Sequence, residues 1–192
     1  MDAAMVFGGA MNVDQEHLHP WLRDEKNLLR DLLSRGVPVI GLCLGAQLLA
    51  EAAGTTPGRA SEPEIGWTAV ELTPEGRQDP LLTGLPGRLD VLEWHSYEAP
   101  LPDGAVALAR SPVCLQAYRL NGSPVWGLQF HAEVTERDLG LWLDSWDADE
   151  DAVRIGLDHE AMRAESAERI DAWNELGRGI ARRFLAEASR SE

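Results

Sequence analysis

One junction limits what this chain can fold into more than any other feature. The apolar run 37–42 (Val-Pro-Val-Ile-Gly-Leu) passes through Gly41-Leu42-Cys43-Leu44-Gly45 straight into the Ala- and Leu-rich segment 46–53. A short unbroken apolar run reads as a strand buried on both faces, and the segment after it, closed by Gly54, reads as a helix. The same unit precedes it. Ala3-Ala4-Met5-Val6-Phe7, stopped by Gly8-Gly9, reads as an earlier strand. Segment 21–35 carries Trp21, Leu22, Leu28, Leu29, Leu32 and Leu33 at helical spacing before Gly36 and Pro38, and reads as the helix between the two strands. Strand, helix, strand, helix predicts right-handed crossovers, and so an α/β fold with a doubly wound, mainly parallel sheet flanked by helices.

Farther along, the runs 67–72, 91–94, 106–109, 113–120 and 125–130 are shorter and separated by Pro, Gly, Asp and Asn, which predicts a second group of strands with tight connections. Beyond Glu133 the apolar spacing becomes helical again, over 137–146 and 164–188. No repeat or linker divides the chain, so one domain is expected over 1–192, with its motifs in 1–145 and a helical extension over 146–192. The 192 residues are 44% hydrophobic, enough for one substantial core. An excess of 32 acidic over 17 basic residues, a formal charge of -15, disfavours nucleic acid and anionic membrane surfaces as partners. The two cysteines, Cys43 and Cys114, are too few for a disulfide framework and suit a reducing compartment, so a cytoplasmic location is expected. No stretch reaches the ~20 apolar residues of a membrane span, and the N-terminus lacks the basic and apolar regions of a secretory signal.

The chemistry concentrates at Cys43. A cysteine at the tip of a strand-to-helix turn, flanked by Gly41 and Gly45, has the form of a nucleophile elbow. The glycines let strand and helix approach closely, and the start of the helix directs N–H groups and its positive dipole end at the sulfur. The Leu44 N–H then points towards an oxyanion formed at Cys43. Cys114, inside the run 113–120 without flanking glycines, reads instead as a small buried residue. At the end of the last apolar strand, Trp126-Gly127-Leu128-Gln129-Phe130-His131-Ala132-Glu133 delivers a His and, two residues later, a Glu. Residues i and i+2 share a side in extended chain, so Glu133 can orient His131 and leave its other nitrogen to take the Cys43 proton. His17 and His19, beside Pro20 in a polar loop, have no cysteine or carboxylate cluster nearby, and no metal site is expected there.

Together, Gly41-Leu42-Cys43-Leu44-Gly45-Ala46-Gln47 and Trp126-Gly127-Leu128-Gln129-Phe130-His131-Ala132-Glu133 resemble the class I glutamine amidotransferases, most of all stand-alone proteins similar to the amidotransferase domain of GMP synthase. The similarity extends through Phe7-Gly8-Gly9, Glu64-Ile65-Gly66-Trp67 and Glu93-Trp94-His95-Ser96. The resemblance implies flavodoxin-like layers, Cys43 as nucleophile, His131 as general base and acid, Glu133 as orienting carboxylate, and the N–H groups of Gly9 and Leu44 as oxyanion hole. It also implies that Gln47, Ser96 and Tyr97 contact the substrate. The implied activity is hydrolysis of the glutamine side-chain amide through a γ-glutamyl thioester, with no metal or organic cofactor. With no P-loop in the sequence, ammonia would pass to a synthetase on a separate chain. Two rival readings are a hydrolase of another γ-glutamyl amide or peptide, and a binding or regulatory module.

Several features depart from the family pattern. Ala132 and Ala10 stand where the family usually has proline, the usual Asp is missing from Trp94-His95-Ser96-Tyr97-Glu98, and a first strand-helix-strand unit is absent before Phe7. Replacing proline by alanine relaxes a turn by under ~1 kcal/mol, so the triad geometry is expected to survive. Without the first unit, apolar surface is expected to be exposed along both 3–7 and 37–42.

Overall fold

The computed structural model describes residues 2–190. Seven strands form one sheet in the order β1-β2-β7-β6-β5-β3-β4. They are β1 (Ala4–Val6), β2 (Val39–Leu42), β3 (Gly58–Leu72), β4 (Arg88–Glu98), β5 (Val106–Arg110), β6 (Leu115–Arg119) and β7 (Val125–Leu128). The helices are α1 (Trp21–Ser34), α2 (Leu44–Ala52), α3 (Glu136–Asp144), α4 (Glu150–Ile155) and α5 (His159–Ala188). The sheet is mixed. The crossover unit predicted from the first two strands supplies the parallel half, β1-β2-β7, and the second group of strands supplies an antiparallel half.

Alternation along the central strands sends side chains to two cores. Val39 and Val125 join Leu22, Leu29, Leu44, Leu48 and Leu49 beneath α1 and α2, whereas Ile40, Leu42, Trp126 and Leu128 face the other way, against Ile180 and Phe184 of α5. That is why the runs 37–42 and 125–130 are apolar without alternation.

The expected exposure of two strands is half right. β1 is an edge strand, with Met5 and Phe7 36% and 52% exposed. Residues 37–42 are buried, because β2 lies inside the sheet between β1 and β7. Several element limits also differ from those expected. β3 and β4 are longer than 67–72 and 91–94, β7 ends at Leu128 rather than at 130, α4 falls within the expected helical extension but outside its two helical runs, and α5 begins at His159 rather than at 164. Asp149 and Asp158 cap these two helices, their side chains accepting from backbone N–H groups of the first turn. Cys114 falls just outside β6, in the turn before it.

Candidate active site

β2 and β7 are parallel neighbours, with Leu42 opposite Leu128, so the residues leaving their C-terminal ends meet. Cys43 leaves the first and His131 follows the second. The Cys43 N–H donates to the Leu128 carbonyl at 2.8 Å, which ties the elbow to β7. Cys43 has φ 49° and ψ -112°, and among the described residues it is the one non-glycine residue with positive φ. Such strain persists only where the surroundings hold it. The surroundings are backbone: a Cβ on Gly41 would come 2.5 Å from the Gly45 oxygen, and a Cβ on Gly45 would come 2.2 Å from the Val6 oxygen. Strand, turn and helix are therefore as close as the two glycines permit. Helix α2 begins at Leu44, whose N–H is among those that a helix leaves without an intrahelical acceptor.

His131 is buried, and its Nδ1 is 2.8 Å from Glu133 Oε1. Burial disfavours a charged ring, but the Cys43 sulfur and the Glu133 carboxylate beside it together hold the His131 proton well above the usual histidine range. A thiol, an imidazole and an orienting carboxylate in this order can pass a proton from sulfur to ring nitrogen and leave a nucleophilic thiolate. Gly8 fits between the partners, since a Cβ there would be 3.0 Å from His131 Cε1 and 3.3 Å from Cys43 Cβ. Gly9 follows it against Met11 and Leu44.

The three residues expected at the substrate are drawn together. Gln47 is buried in α2 rather than exposed on its surface, and its Nε2 donates to the Tyr97 carbonyl at 2.9 Å and to Gln129 Oε1 at 3.2 Å. Ser96 and Tyr97 lie within β4 rather than in a loop. Ser96 hydrogen-bonds Asp151, and the Tyr97 hydroxyl donates to Asp14 at 3.2 Å.

Other residues that shape the site carry no motif. The Trp173 indole donates to the His131 carbonyl at 2.8 Å, and the Asn174 amide to the Val134 carbonyl at 2.8 Å. Trp142 sets its ring edge-to-face with His131 at 4.9 Å between centroids. These side chains come from α3 and α5, beyond the recognisable motifs, and periodicity alone marks them only as core. They also explain why Ala132 serves where proline is usual. Its neighbours' carbonyls are held by α5, and Gly177 approaches so closely that a Cβ there would lie 1.9 Å from the Ala132 oxygen.

Residues 1–142 match the family model for the class-I glutamine amidotransferases. The chain is 34% identical over 137 residues to the glutamine amidotransferase-like protein YfeJ of Salmonella typhimurium, an alignment covering 70% of this chain and 57% of that protein. It is 38% identical over 106 residues to one subunit of the glutamine-hydrolyzing GMP synthase of Thermococcus kodakarensis, covering 54% of this chain and 55% of that protein. The chain thus spans somewhat more than half the length of these curated relatives. Among solved structures, a glutamine amidotransferase of Thermotoga maritima superposes with a TM-score of 0.83 at 27% identity, over 94% of this chain and 77% of that one. One from Methylobacillus flagellatus gives 0.79 at 28%, over 96% and 76%. With the elbow, the histidine and its carboxylate meeting at the ends of β2 and β7, and the family model matching most of the length, the chain belongs to the class-I glutamine amidotransferases.

Proposed function

We propose that Cys43, His131 and Glu133 act as a catalytic triad that hydrolyses the side-chain amide of glutamine. The observation that carries this reading is His131, buried beside Cys43 and anchored by Glu133 at 2.8 Å. Cys43 attacks the amide carbon, and the N–H groups of Gly9 and Leu44 stabilise the resulting oxyanion. His131 passes its proton to the leaving nitrogen, ammonia departs, and water then releases glutamate from the γ-glutamyl thioester. Gln47 acts by holding the Tyr97 carbonyl in place, so that the main chain of Ser96 and Tyr97 receives the amino-acid end of the substrate.

The ammonia is delivered to a synthetase on a separate chain, a reading supported by relatives that are themselves separate subunits of a glutamine-hydrolyzing synthase. Among the described residues no helix is long and apolar enough to cross a membrane. Two free cysteines suit work in a reducing compartment.

Glutamate release tests the assignment. Cys43→Ala is expected to abolish it, and a glutamine-like diazo-ketone is expected to label the peptide carrying Cys43 and leave Cys114 unmodified, as read by mass spectrometry. Label on Cys114, or glutamate release that survives Cys43→Ala, would overturn the triad.

A further inference from the structure

A second cluster of reactive side chains shares no residue with the proposed triad, although Glu93 and His95 lie near enough to interact with His131 and Cys43. In the β3–β4 ladder Glu64 faces His95, and Glu93 shares the His95 side of β4. The turn before β6 adds Cys114. All four residues are buried. Glu64 Oε2 lies 3.3 Å from Cys114 Sγ and 3.4 Å from His95 Nε2, and the three atoms are mutually within 4.8 Å. A tetrahedral zinc ion with ordinary bond lengths sets its nitrogen and oxygen ligands about 3.4 Å apart and its sulfur and oxygen ligands about 3.6 Å apart, so the two contacts to Glu64 Oε2 are each within about 0.3 Å of ligand spacing.

Proton placement points the same way. His95 Nδ1 is 3.0 Å from the Tyr97 carbonyl, which can only accept, so Nδ1 carries the hydrogen and a neutral ring turns the Nε2 lone pair towards Glu64 and Cys114. Metal-bound histidines are oriented in this way, by a bond from the other ring nitrogen. Glu64 Oε2 is likewise steadied by Ser111 Oγ at 3.0 Å and Gln116 Nε2 at 2.8 Å.

Hydrogen bonding alone leaves the cluster incomplete. With a neutral His95 ring, Nε2, both carboxylate oxygens of Glu93 and Gln116 Oε1 are buried without a hydrogen-bond partner, and Glu93 Oε2 faces Nε2 at 3.2 Å with no hydrogen between them. Such atoms are rare in folded proteins and require an explanation. A dication answers the ligand side of this: it takes the Nε2 lone pair and is neutralised by the Glu64 carboxylate and a Cys114 thiolate. In the metal-free chain a proton on Nε2 can do part of that work, bridging His95 to Glu64 and Glu93. A thiolate, an imidazole and a carboxylate suit zinc and its neighbours better than magnesium or calcium.

We propose that Glu64, His95 and Cys114 bind a zinc-class divalent metal, whose two positive charges the Glu64 carboxylate and the Cys114 thiolate neutralise, with the Glu93 side chain close by. Cys114 binds as the thiolate and His95 as the neutral ring, and the protons they give up pass to solvent. The site is structural. It clamps β3 and β4 to the start of β6 and, through His95 Nδ1, fixes the Tyr97 carbonyl that Gln47 also holds.

The test uses the full chain as Cys43→Ser, so that the thiol of the triad cannot hold the metal. The protein is stripped by chelation during unfolding, refolded with Zn2+ or with Co2+, and freed of excess metal. One metal per folded chain is expected by elemental analysis, with a thiolate-to-cobalt charge-transfer band in the Co2+ form. Cys114→Ser is expected to remove that band, and His95→Gln to weaken binding at least about tenfold. Should those variants fail to fold, X-ray absorption of the Zn2+ form decides without them, the expected shell being one sulfur at about 2.3 Å with nitrogen and oxygen at about 2.0–2.2 Å. A folded Cys43→Ser protein with less than about a tenth of a metal per chain, or a shell without sulfur, would overturn the site.

Discussion

Of the residues proposed as a triad, His131 depends on its neighbours for its charge. The proton on His131 is opposed by burial and held by the Cys43 sulfur and by Glu133. A histidine whose folded pKa is raised contributes stability that is complete below the unfolded value near 6.5 and lost as pH rises through the folded value. Removing the sulfur should therefore lower the pH at which His131 gives up its proton, and Cys43→Ala followed by NMR titration of the ring is expected to show that fall. An unchanged titration would mean that Glu133 alone sets it. The same dependence ranks the variants. His131→Ala should cost at least as much glutamate release as Glu133→Ala, because the ring transfers protons and the carboxylate orients it. A Glu133 variant clearly worse than the His131 variant would give Glu133 a role beyond orientation.

Helix α5 lies outside the sequence motifs, yet it holds the backbone of the segment bearing His131 and Glu133. Its two inner glycines differ sharply. A Cβ at Gly177 would collide with the Ala132 oxygen at 1.9 Å, whereas a Cβ at Gly179 would meet nothing closer than Arg183 Nη1 at 3.9 Å. Gly177→Ala is expected to cost roughly 1–3 kcal/mol of stability and to reduce activity, because the displaced backbone carries the proposed base, His131. Gly179→Ala should instead stabilise by up to about 1 kcal/mol, since alanine is the better helix former. Paired thermal melts and glutamate-release assays check both, and similar effects at the two positions would refute this account of the contact. Trp173→Phe should fall between them, keeping most of the packing and losing about 0.5–1.5 kcal/mol with the bond to the His131 carbonyl.

At the scale of the whole molecule, the weak point is the sheet edge at β1. Its exposed Met5 and Phe7, and the exposed Leu28 of α1 beside it, border a groove between strand and helix. An edge with apolar side chains and unpaired backbone groups invites pairing with another chain. Concentration-dependent association is expected, and the double variant Met5→Lys, Leu28→Lys should shift it towards monomer, as measured by size-exclusion chromatography with light scattering. Equal association of both forms would place the sticky surface elsewhere. The acidic excess of the chain opposes association in general, so the effect should be clearest at high salt, where that repulsion is screened.

Local pattern in the amino-acid sequence is enough to specify several parts of this protein. The elbow at Cys43 is legible because a nucleophile turn needs glycines at fixed offsets; the pairing of His131 with Glu133 is legible from their spacing, but β7 ends at Leu128 and the two meet across a turn rather than by alternation in extended chain. The crossover unit around β2 is legible because buried parallel strands lack alternation. Folding in three dimensions adds what no spacing carries: β7, last in the chain, lies beside β2 and brings His131 to Cys43. It also turns Gln47 inward, sets Trp142, Trp173 and Gly177 against the segment bearing His131, and brings Glu64, His95 and Cys114 together. All but the Trp142–His131 contact join residues tens of positions apart. Such contacts follow from strand order and helix docking, which the free energy of the whole core selects, and no local spacing records them.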